Sequence, residues 1–281
     1  MNHHAGKLAD VWKHLVLAEV VRAERPARYA ETHAGHAVNP VPRDAERRYG
    51  IRHAAATFPR PSAYLDIARR YLAADSYPGS AAIALSIAPD TDALLADTDP
   101  ESTADLRAWI ARSGASRARA VTADGMTALG PWLAEGRALV HVDPFDPWEV
   151  GESWATDDDP EADGMSAVDF AASVVEAGHG LVWWYGYDAP DDRGWAIGEL
   201  GLPDLWAGDL LVTTAAGEVD DDGDLGEATT PGTGCGVVLA GVDPAVARRC
   251  ELLGEALVAA YEGVPLPDGS PGALDLLVDL S

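Results

Sequence analysis

The sequence predicts an α/β protein with a mostly parallel, doubly wound sheet that has helices on both faces. Three observations lead to this prediction. Short apolar runs alternate with stretches of helical periodicity, three successive runs end in aspartate, and a pair of runs late in the chain has only a loop between its members. With 281 residues, 47% of them hydrophobic, the chain suits one large domain or two small ones.

The helices and strands follow from the spacing of apolar residues. Residues 8–24 place apolar side chains at helical spacing, which predicts a first helix. The predicted strands are 28–32, 93–97, 117–122, 138–143, 180–185, 208–214 and 234–241. The other predicted helices are 101–113, 126–135, 165–178 and 244–261. Because a loop alone separates the last two strands, we expect them to form an antiparallel pair at the end of the parallel sheet.

One segment interrupts the alternation of strands and helices. Residues 37–77, between the first and second strands, are rich in arginine and helical in character. We interpret them as an inserted helical subdomain, which leaves 1–36 and 78–281 as the main domain. Residues 155–164 and 215–232 are acidic and contain glycine and proline, which indicates loops.

The composition excludes several classes of protein. No apolar run approaches the roughly 20 residues that a membrane-spanning helix needs, and Lys7, Asp10 and Lys13 interrupt the region where a secretory signal would be apolar. Cys235 and Cys250 form no CxxC pair, which excludes a disulfide scaffold and a zinc ribbon. We therefore expect a cytoplasmic protein that binds neither a membrane nor a metal.

The net charge of −26 is distributed unevenly along the chain. Residues 1–119 hold 16 basic and 14 acidic side chains, whereas residues 120–281 hold 4 arginines and 32 acids, which gives +2 and −28. Within the first part, residues 1–60 hold 10 basic and 6 acidic side chains, or +4. Because phosphate binding depends on Lys and Arg, an anionic partner is expected to approach this N-terminal part.

Polar residues collect where the predicted strands end, and ligands of doubly wound sheets bind outside the carboxyl ends of the strands. The first four strands are followed in turn by Thr32-His33-Ala34-Gly35-His36, Asp97, Asp124-Gly125 and Asp143-Pro144-Phe145-Asp146. An acid after the second strand typically holds the ribose hydroxyls of a nucleotide. The pattern therefore predicts a cofactor that contains a nucleoside, and the alternative for each aspartate is a turn former or a helix N-cap.

Several motifs are similar to those of one known family. From His4 to His14 the chain reads HAGxxADVxKH, residues 32–35 read THAG, residues 77–80 read YPGS, residues 123–125 read ADG, and residues 234–236 read GCG before an apolar run. In order and spacing these pieces resemble the bacterial 23S rRNA adenine-N6-methyltransferases of the RlmJ type. The resemblance covers about residues 4–243.

The resemblance implies a Rossmann-like class I methyltransferase fold with a seven-stranded, mostly parallel sheet and a small helical insertion. It implies S-adenosylmethionine (SAM) as cofactor and S-adenosylhomocysteine (SAH) as product. The implied cofactor-binding residues are His14, His33, Gly35, Ser80, Asp97, Asp124 and Gly125. Asp97 would hold the ribose, and Asp124 would hold the adenine amino group of the cofactor.

Asp143 falls on the family's catalytic aspartate, in a motif that reads (D/N)PP(Y/F/W). This aspartate accepts a hydrogen bond from the exocyclic amine and aligns the amine with the methyl group, while the final aromatic stacks on the flipped base. Here Phe145 replaces the second proline and Asp146 replaces the aromatic, so that Phe145 or Trp148 would have to stack on the base. The implied substrate-binding residues are His4, Lys13, Arg47, Arg48 and Trp148.

Three functions remain open at this point. The first is methyl transfer to RNA adenine, with 23S rRNA held by the basic N-terminal part. The second is a SAM-dependent reaction on a small molecule or on SAM itself, with Asp143 and Asp146 facing an amine or a hydroxyl group. The third is a SAM-binding protein without catalysis. The basic residues favour the first function, and the altered motif favours the second.

Overall fold

The computed structural model describes residues 4–144, 165–213, 228–230 and 232–280. The strands are β1 (Arg28–Glu31), β2 (Val38–Pro40), β3 (Ser76–Pro78), β4 (Asp92–Asp97), β5 (Ala118–Thr122), β6 (Leu139–Val142), β7 (Gly180–Tyr187), β8 (Trp206–Thr213), β9 (Gly234–Ala240) and β10 (Ala273–Leu280). The helices are α1 (Leu8–Glu24), α2 (Ala45–Arg47), α3 (His53–Thr57), α4 (Ala63–Leu72), α5 (Ser80–Ile87), α6 (Pro100–Ser113), α7 (Gly125–Leu133), α8 (Ala167–Glu176), α9 (Pro190–Leu200) and α10 (Pro244–Ala260). A kinked turn (Arg48–Arg52), in which Gly50 has non-helical backbone angles, joins α2 to α3.

The main sheet has the order β10-β8-β9-β7-β6-β1-β4-β5. The five strands from β7 to β5 are parallel to one another. β9 is antiparallel to both β7 and β8, as expected for the late pair of strands. The predicted Rossmann-like α/β fold with a mostly parallel sheet is therefore confirmed.

The expected number of seven strands is wrong, because the main sheet of the described residues has eight. The additional strand is β10, which pairs antiparallel with β8 along its whole length, from Ala273 opposite Thr213 to Leu280 opposite Trp206. Its sequence, ALDLLVDL, does not alternate cleanly between apolar and polar residues. A strand without that period is recognisable only by its partner, and this partner lies far away in the sequence.

The segment between the first two strands of the main sheet is largely helical. It contains α2, the kinked turn, α3 and α4, and it is closed at its base by the antiparallel pairing of β2 with β3. Asp44 caps α2 by accepting a hydrogen bond from the backbone N–H of Arg47, and Ser62 caps α4 in the same way through Leu65 N–H. The segment lies beside the N-terminus of α1, to which it is hydrogen-bonded.

Helix α1 is buried on nearly all sides, with 13 of its 17 residues in the interior. It packs against α4, α5 and α10 and against β9. A helix that is enclosed in this way is usually apolar all round, yet α1 carries Asp10, Lys13 and His14 inside the protein. These three side chains therefore need partners from the elements around the helix.

Among the described residues, no helix combines the length and the apolar character that crossing a membrane requires.

The N-terminal segment and the insertion meet through a backbone contact at Gly50. The N–H of Ile51 donates to the carbonyl oxygen of Gly6 over 2.9 Å. A Cβ atom at Gly50 would lie 2.4 Å from that oxygen and 2.8 Å from the carbonyl carbon of Lys7. No side chain fits at this position without a shift of the backbone.

We expect Gly50→Ala to lower the free energy of unfolding by about 1–3 kcal/mol, the usual cost of overpacking. The matched control is Gly194→Ala, in α9, where an added Cβ would meet no atom within 4 Å. This control should leave stability unchanged or raise it by up to about 1 kcal/mol, because alanine favours helix. Urea denaturation of both variants measures the difference, and equal effects would contradict the close packing at Gly50.

Candidate functional site

A cleft opens where the carboxyl ends of β1 and β6 lie side by side. β4 and β5 continue the sheet on one side of β1, and β6 and β7 continue it on the other, so the chain reverses its direction of winding at this point. Such a switch point is where doubly wound sheets bind ligands. The cleft is lined by Asp10, Lys13, His14, His33, Ala34, Gly35, His36, Asn39, Tyr77, Gly79, Ser80 and Asp143.

The ammonium group of Lys13 joins helix α1 to the end of β6. Its Nζ lies 2.8 Å from Asp143 Oδ2 and 3.0 Å from Asp10 Oδ1, and it also lies 5.4 Å from the centre of the Trp184 ring. The second oxygen of Asp10 accepts the backbone N–H of Gly6 over 3.0 Å. Two carboxylates and one ammonium group therefore form a buried cluster, the Lys13 triad.

The members of the Lys13 triad shift one another's pKa values. Burial acts to lower the pKa of Lys13, but Asp10 and Asp143 raise it above its usual value. Burial acts to raise the pKa of Asp10, but Lys13 and His14, together with hydrogen bonds, lower it. The pKa of Asp143 is raised by burial, which Lys13 opposes only in part. The triad carries two potential negative charges against one positive charge, and Asp143 is the member that takes up a proton more easily.

His14 is part of a buried chain of hydrogen bonds on the other side of the cleft. Its Nδ1 lies 2.6 Å from the hydroxyl oxygen of Tyr77, which in turn lies 2.8 Å from the hydroxyl oxygen of Tyr64. Burial lowers the pKa of His14 to about 3, so the imidazole is neutral at physiological pH. His14 can therefore offer a hydrogen bond to a ligand but not a positive charge.

The loop after β1 presents backbone to the cleft at Gly35. This glycine has a φ of +58°, and a Cβ atom at this position would meet no atom within 4 Å. Its N–H donates to Asp97 Oδ2 over 2.7 Å, while Asp97 Oδ1 accepts the N–H of Asp99 over 2.8 Å. The acid at the end of β4 therefore lies against the glycine loop.

Two other glycines pack closely against the backbone of this loop. A Cβ atom at Gly79 would lie 2.2 Å from the carbonyl oxygen of His36, and one at Gly125 would lie 2.2 Å from that of Thr32. Ser80, which follows Gly79, begins α5 and lines the cleft. The loop at 32–36 is thus in contact with both the motif at 77–80 and the motif at 123–125, although the three are far apart in sequence.

Asp124 caps helix α7, and its Oδ1 accepts the N–H of Thr127 over 3.0 Å. The N-cap alternative considered from the sequence is therefore present at this position. Asp124 and Gly125 do not line the cleft among the described residues, and neither does Asp97. Their roles toward the cofactor stay predictions.

The implied substrate-binding residues lie in different surroundings. Lys13 lines the cleft, but its ammonium group is held in the Lys13 triad. Arg47 is buried, and its guanidinium donates to the carbonyl oxygen of Ala5 over 3.1 Å and to the carboxylates of Asp44 and Glu46. The structure thus places Arg47 in an internal network that ties the N-terminal segment to the insertion.

Arg48 is exposed and donates to the carbonyl oxygen of Arg43 over 2.7 Å. His4 is partly exposed in the turn before α1. Phe145, Asp146 and Trp148, expected as catalytic or base-stacking residues, lie outside the described residues.

Sequence reasoning missed two buried polar residues behind the cleft, Glu31 and His141. Glu31 accepts hydrogen bonds from the hydroxyl groups of Tyr29 and Ser80, the latter over 2.7 Å. His141 lies beside Glu31 in the register of β1 and β6. The signal that could have found them is an ionisable residue within an apolar strand, since such residues are seldom buried without a partner.

Residues 4–144, 165–213, 228–230 and 232–280 contain no group of three or more His, Cys, Asp and Glu side chains that could hold a metal ion.

Comparison with known proteins identifies relatives by structure. No protein-family model matches the chain, and no curated protein matches it significantly in sequence. Protein LPL1258 of Legionella pneumophila, of family DUF519, superposes with a TM-score of 0.71 and 16% identity over 99% of this chain and 98% of its own. This similarity shows a shared fold over the whole length.

Two other solved structures are more distant. A SAM-dependent methyltransferase of Agrobacterium tumefaciens gives a TM-score of 0.41 with 11% identity over 81% of this chain and 59% of its own. A DUF574 family protein of Streptomyces avermitilis gives 0.39 with 15% identity over 81% and 80%. TM-scores of this size do not establish that either structure shares the fold of this chain.

We expect Lys13→Met to lower the free energy of unfolding by about 3–5 kcal/mol, because it leaves two buried carboxylates without their cation. In the variant, burial raises the folded-state pKa of Asp10 and Asp143 above the unfolded values, so stability falls as the pH rises through them. The loss relative to wild type should therefore be larger at pH 8 than at pH 5.

The control is Arg22→Met on the same helix, where an exposed ion pair with Glu19 is lost at a cost of about 0–1 kcal/mol. Denaturant titrations at both pH values provide the comparison. If the Lys13 and Arg22 variants lose equal stability at both pH values, the Lys13 triad does not support the fold.

Proposed function

We propose that this protein is a SAM-dependent methyltransferase that methylates the exocyclic amine of a nucleobase, with adenine of 23S rRNA as the first candidate acceptor. The observation that carries the proposal is the cleft at the switch point of the sheet. There Asp143, held by Lys13, lies with the glycine loop and His14 around one space. The motif resemblance supports the same assignment.

The residues at the cleft fit the cofactor. The backbone of Gly35 borders open space that a larger residue would fill, so a ligand can approach the chain closely there. Asp97, hydrogen-bonded to Gly35, would accept the ribose hydroxyls. When bound, SAM supplies a methyl group on a positively charged sulfur.

Asp143 is the residue that would orient the acceptor. Lys13 fixes its carboxylate through Oδ2, and a carboxylate can also accept an amine N–H through its second oxygen. Such a hydrogen bond turns the nitrogen lone pair toward the methyl group, and positioning of this kind provides most of the rate in a transfer between activated partners. The raised pKa of Asp143 also suits it to receive the proton that the amine gives up.

A small-molecule amine is the second candidate acceptor. Two observations support it: the burial of Arg47 within the protein, and the net charge of −28 of residues 120–281. Both reduce the positive surface that could neutralise phosphates. The same cleft and the same role of Asp143 serve either acceptor.

The test is incubation of the full chain with SAM, with and without a fragment of 23S rRNA, followed by mass spectrometry of the cofactor and the nucleosides. SAH and a methylated adenine that appear only with RNA would support the RNA assignment. SAH formed with an added amine but not with RNA would support the small-molecule acceptor. Methylthioadenosine without any acceptor would contradict methyl transfer, because SAM itself would then be the substrate.

We expect Asp97→Ala to weaken SAM binding by about tenfold or more, as the loss of a charge-assisted hydrogen bond does. The control is Asp92→Ala, which removes an aspartate at the opposite end of the same strand, near Arg28. Calorimetric titration with SAM measures both affinities. Unchanged affinity in the Asp97 variant would remove this residue from the proposed pocket.

We expect Asp143→Ala to abolish methyl transfer, because alanine can neither accept the hydrogen bond of the amine nor take its proton. SAM affinity should change by less than about threefold, since Asp143 acts on the acceptor. Turnover and binding are measured on the same preparation. Equal losses in both would mean that Asp143 holds the cofactor instead.

A further inference from the structure

Glu31 is a fully buried carboxyl group at the end of β1, and its hydrogen-bond donors are hydroxyl groups. Tyr29 and Ser80 donate to its two oxygens. Lys13 is close enough to act on Glu31 electrostatically, but its ammonium group is bound by the carboxylates of the Lys13 triad. Within the described part of the chain, Glu31 therefore lacks a cation in contact. Burial raises the pKa of Glu31 to about 8, so much of it is protonated at neutral pH.

His141 is the neighbour of Glu31 on β6 and is equally buried. Its Nδ1 lies 3.9 Å from Glu31 Oε1, too far for a hydrogen bond, and neither ring nitrogen has a hydrogen-bond partner among the described residues. Burial, together with Lys13, His14 and His33, lowers the pKa of His141 well below its usual value, so the ring is neutral. Buried polar groups are nearly always hydrogen-bonded. The N–H of His141, which lacks an acceptor among the described residues, can therefore donate to an ionised Glu31.

Both residues lie directly behind the wall of the cleft. Ser80 lines the cleft and donates to Glu31. Asp143 also lines it and follows β6, two residues after His141. A positive charge bound in the cleft is therefore near Glu31 and favours its ionised form, whereas a neutral ligand does not.

We propose that Glu31 is the residue by which the cleft distinguishes a sulfonium cation from the neutral thioether that remains after methyl transfer. This inference rests on the proposed function, since it assigns a role within the same site. Binding of the cation ionises Glu31, one proton passes to solvent, and the N–H of His141 turns to the carboxylate. A neutral thioether leaves Glu31 protonated. The combined charge of the cleft and its ligand is therefore the same in both cases.

The groups that face Glu31 determine the sign of the pH dependence. They are Tyr29 on β1, His141 on β6, Asp143 just after β6, Lys13 on α1 and Ser80 on α5, while β4 presents the apolar Leu95 beside it. At a pH below the pKa of Glu31, the cation binds only with loss of a proton, so its affinity falls as the pH is lowered. The affinity of the thioether does not depend on this step. The ratio Kd(SAH)/Kd(SAM) should therefore rise with pH, by up to about tenfold per unit, and level off above the pKa of Glu31.

The experiment is calorimetric titration of the full chain with SAM and with SAH between pH 6 and pH 9. Both ligands carry the same amino acid and nucleoside groups, but the sulfonium lowers the pKa of the amino group in SAM, so each free ligand is titrated separately and the ratio is corrected for that ionisation. We expect the ratio to rise by about fivefold or more across this range. At pH 7, titration in two buffers of different ionisation enthalpy should show that SAM releases more protons than SAH.

Glu31→Gln keeps the size of the side chain and removes its titration, so the ratio should become independent of pH. The control is Glu19→Gln, which removes a carboxylate near the other end of α1, paired with Arg22 and Arg249, and should follow wild type. His141→Val should move the rise of the ratio to higher pH, because the ionised carboxylate loses a donor. If the ratio rises over the same pH range in the His141 variant as in wild type, His141 does not donate to the ionised Glu31.

Parallel pH profiles for SAM and SAH in the wild-type chain would overturn the inference and leave the proposed function standing. A wild-type pH profile in the Glu31 variant would also overturn it. A chain that binds neither ligand at any pH would overturn the proposed function, and this inference with it. If the Glu31 variant does not fold, the wild-type ratio and the count of released protons decide the question by themselves.

Discussion

The cleft depends on one interaction, the pairing of the buried Lys13 ammonium group with the carboxylates of Asp10 and Asp143. Removing these charges from water costs several kcal/mol per ion, and only close pairing offsets that cost. The pairing fixes α1 against the end of β6 and fixes Asp143 in the cleft. Spacing on the helix makes it possible, because positions 10, 13 and 14 lie on one face of α1.

Glycines bring the separate motifs of the cleft into contact. Gly50 lies against the backbone of Gly6, Gly79 against His36, and Gly125 against Thr32, each at a distance that a side chain would not allow. These contacts join the N-terminal segment, the insertion and three strand ends. The geometry of the cleft therefore depends on backbone packing as much as on the side chains that line it.

The protein contains a second buried carboxyl group, and its surroundings differ from those of Glu31. Asp209 on β8 accepts a hydrogen bond from Tyr185, and Arg193 Nε lies 3.1 Å from its other oxygen. Burial raises the pKa of Asp209 to about 7, although Arg193 opposes the shift. Asp209 is paired with an arginine, which is always charged, and this suits a structural role. Glu31 instead has two hydroxyl donors, and the imidazole beside it has no hydrogen-bond partner among the described residues.

The sequence by itself determined the alternation of strands and helices, the late antiparallel pair and the residues at the strand ends, because these follow from local periodicity and turn chemistry. It also marked His14, Gly35, Ser80 and Asp143, which the structure brings to one cleft. Tertiary structure alone decided the pairing of β10 with β8, the burial of Arg47, and the meeting of Glu31 with His141 across β1 and β6. Each of these depends on which distant segments become neighbours, and a pattern read along the chain contains no such information.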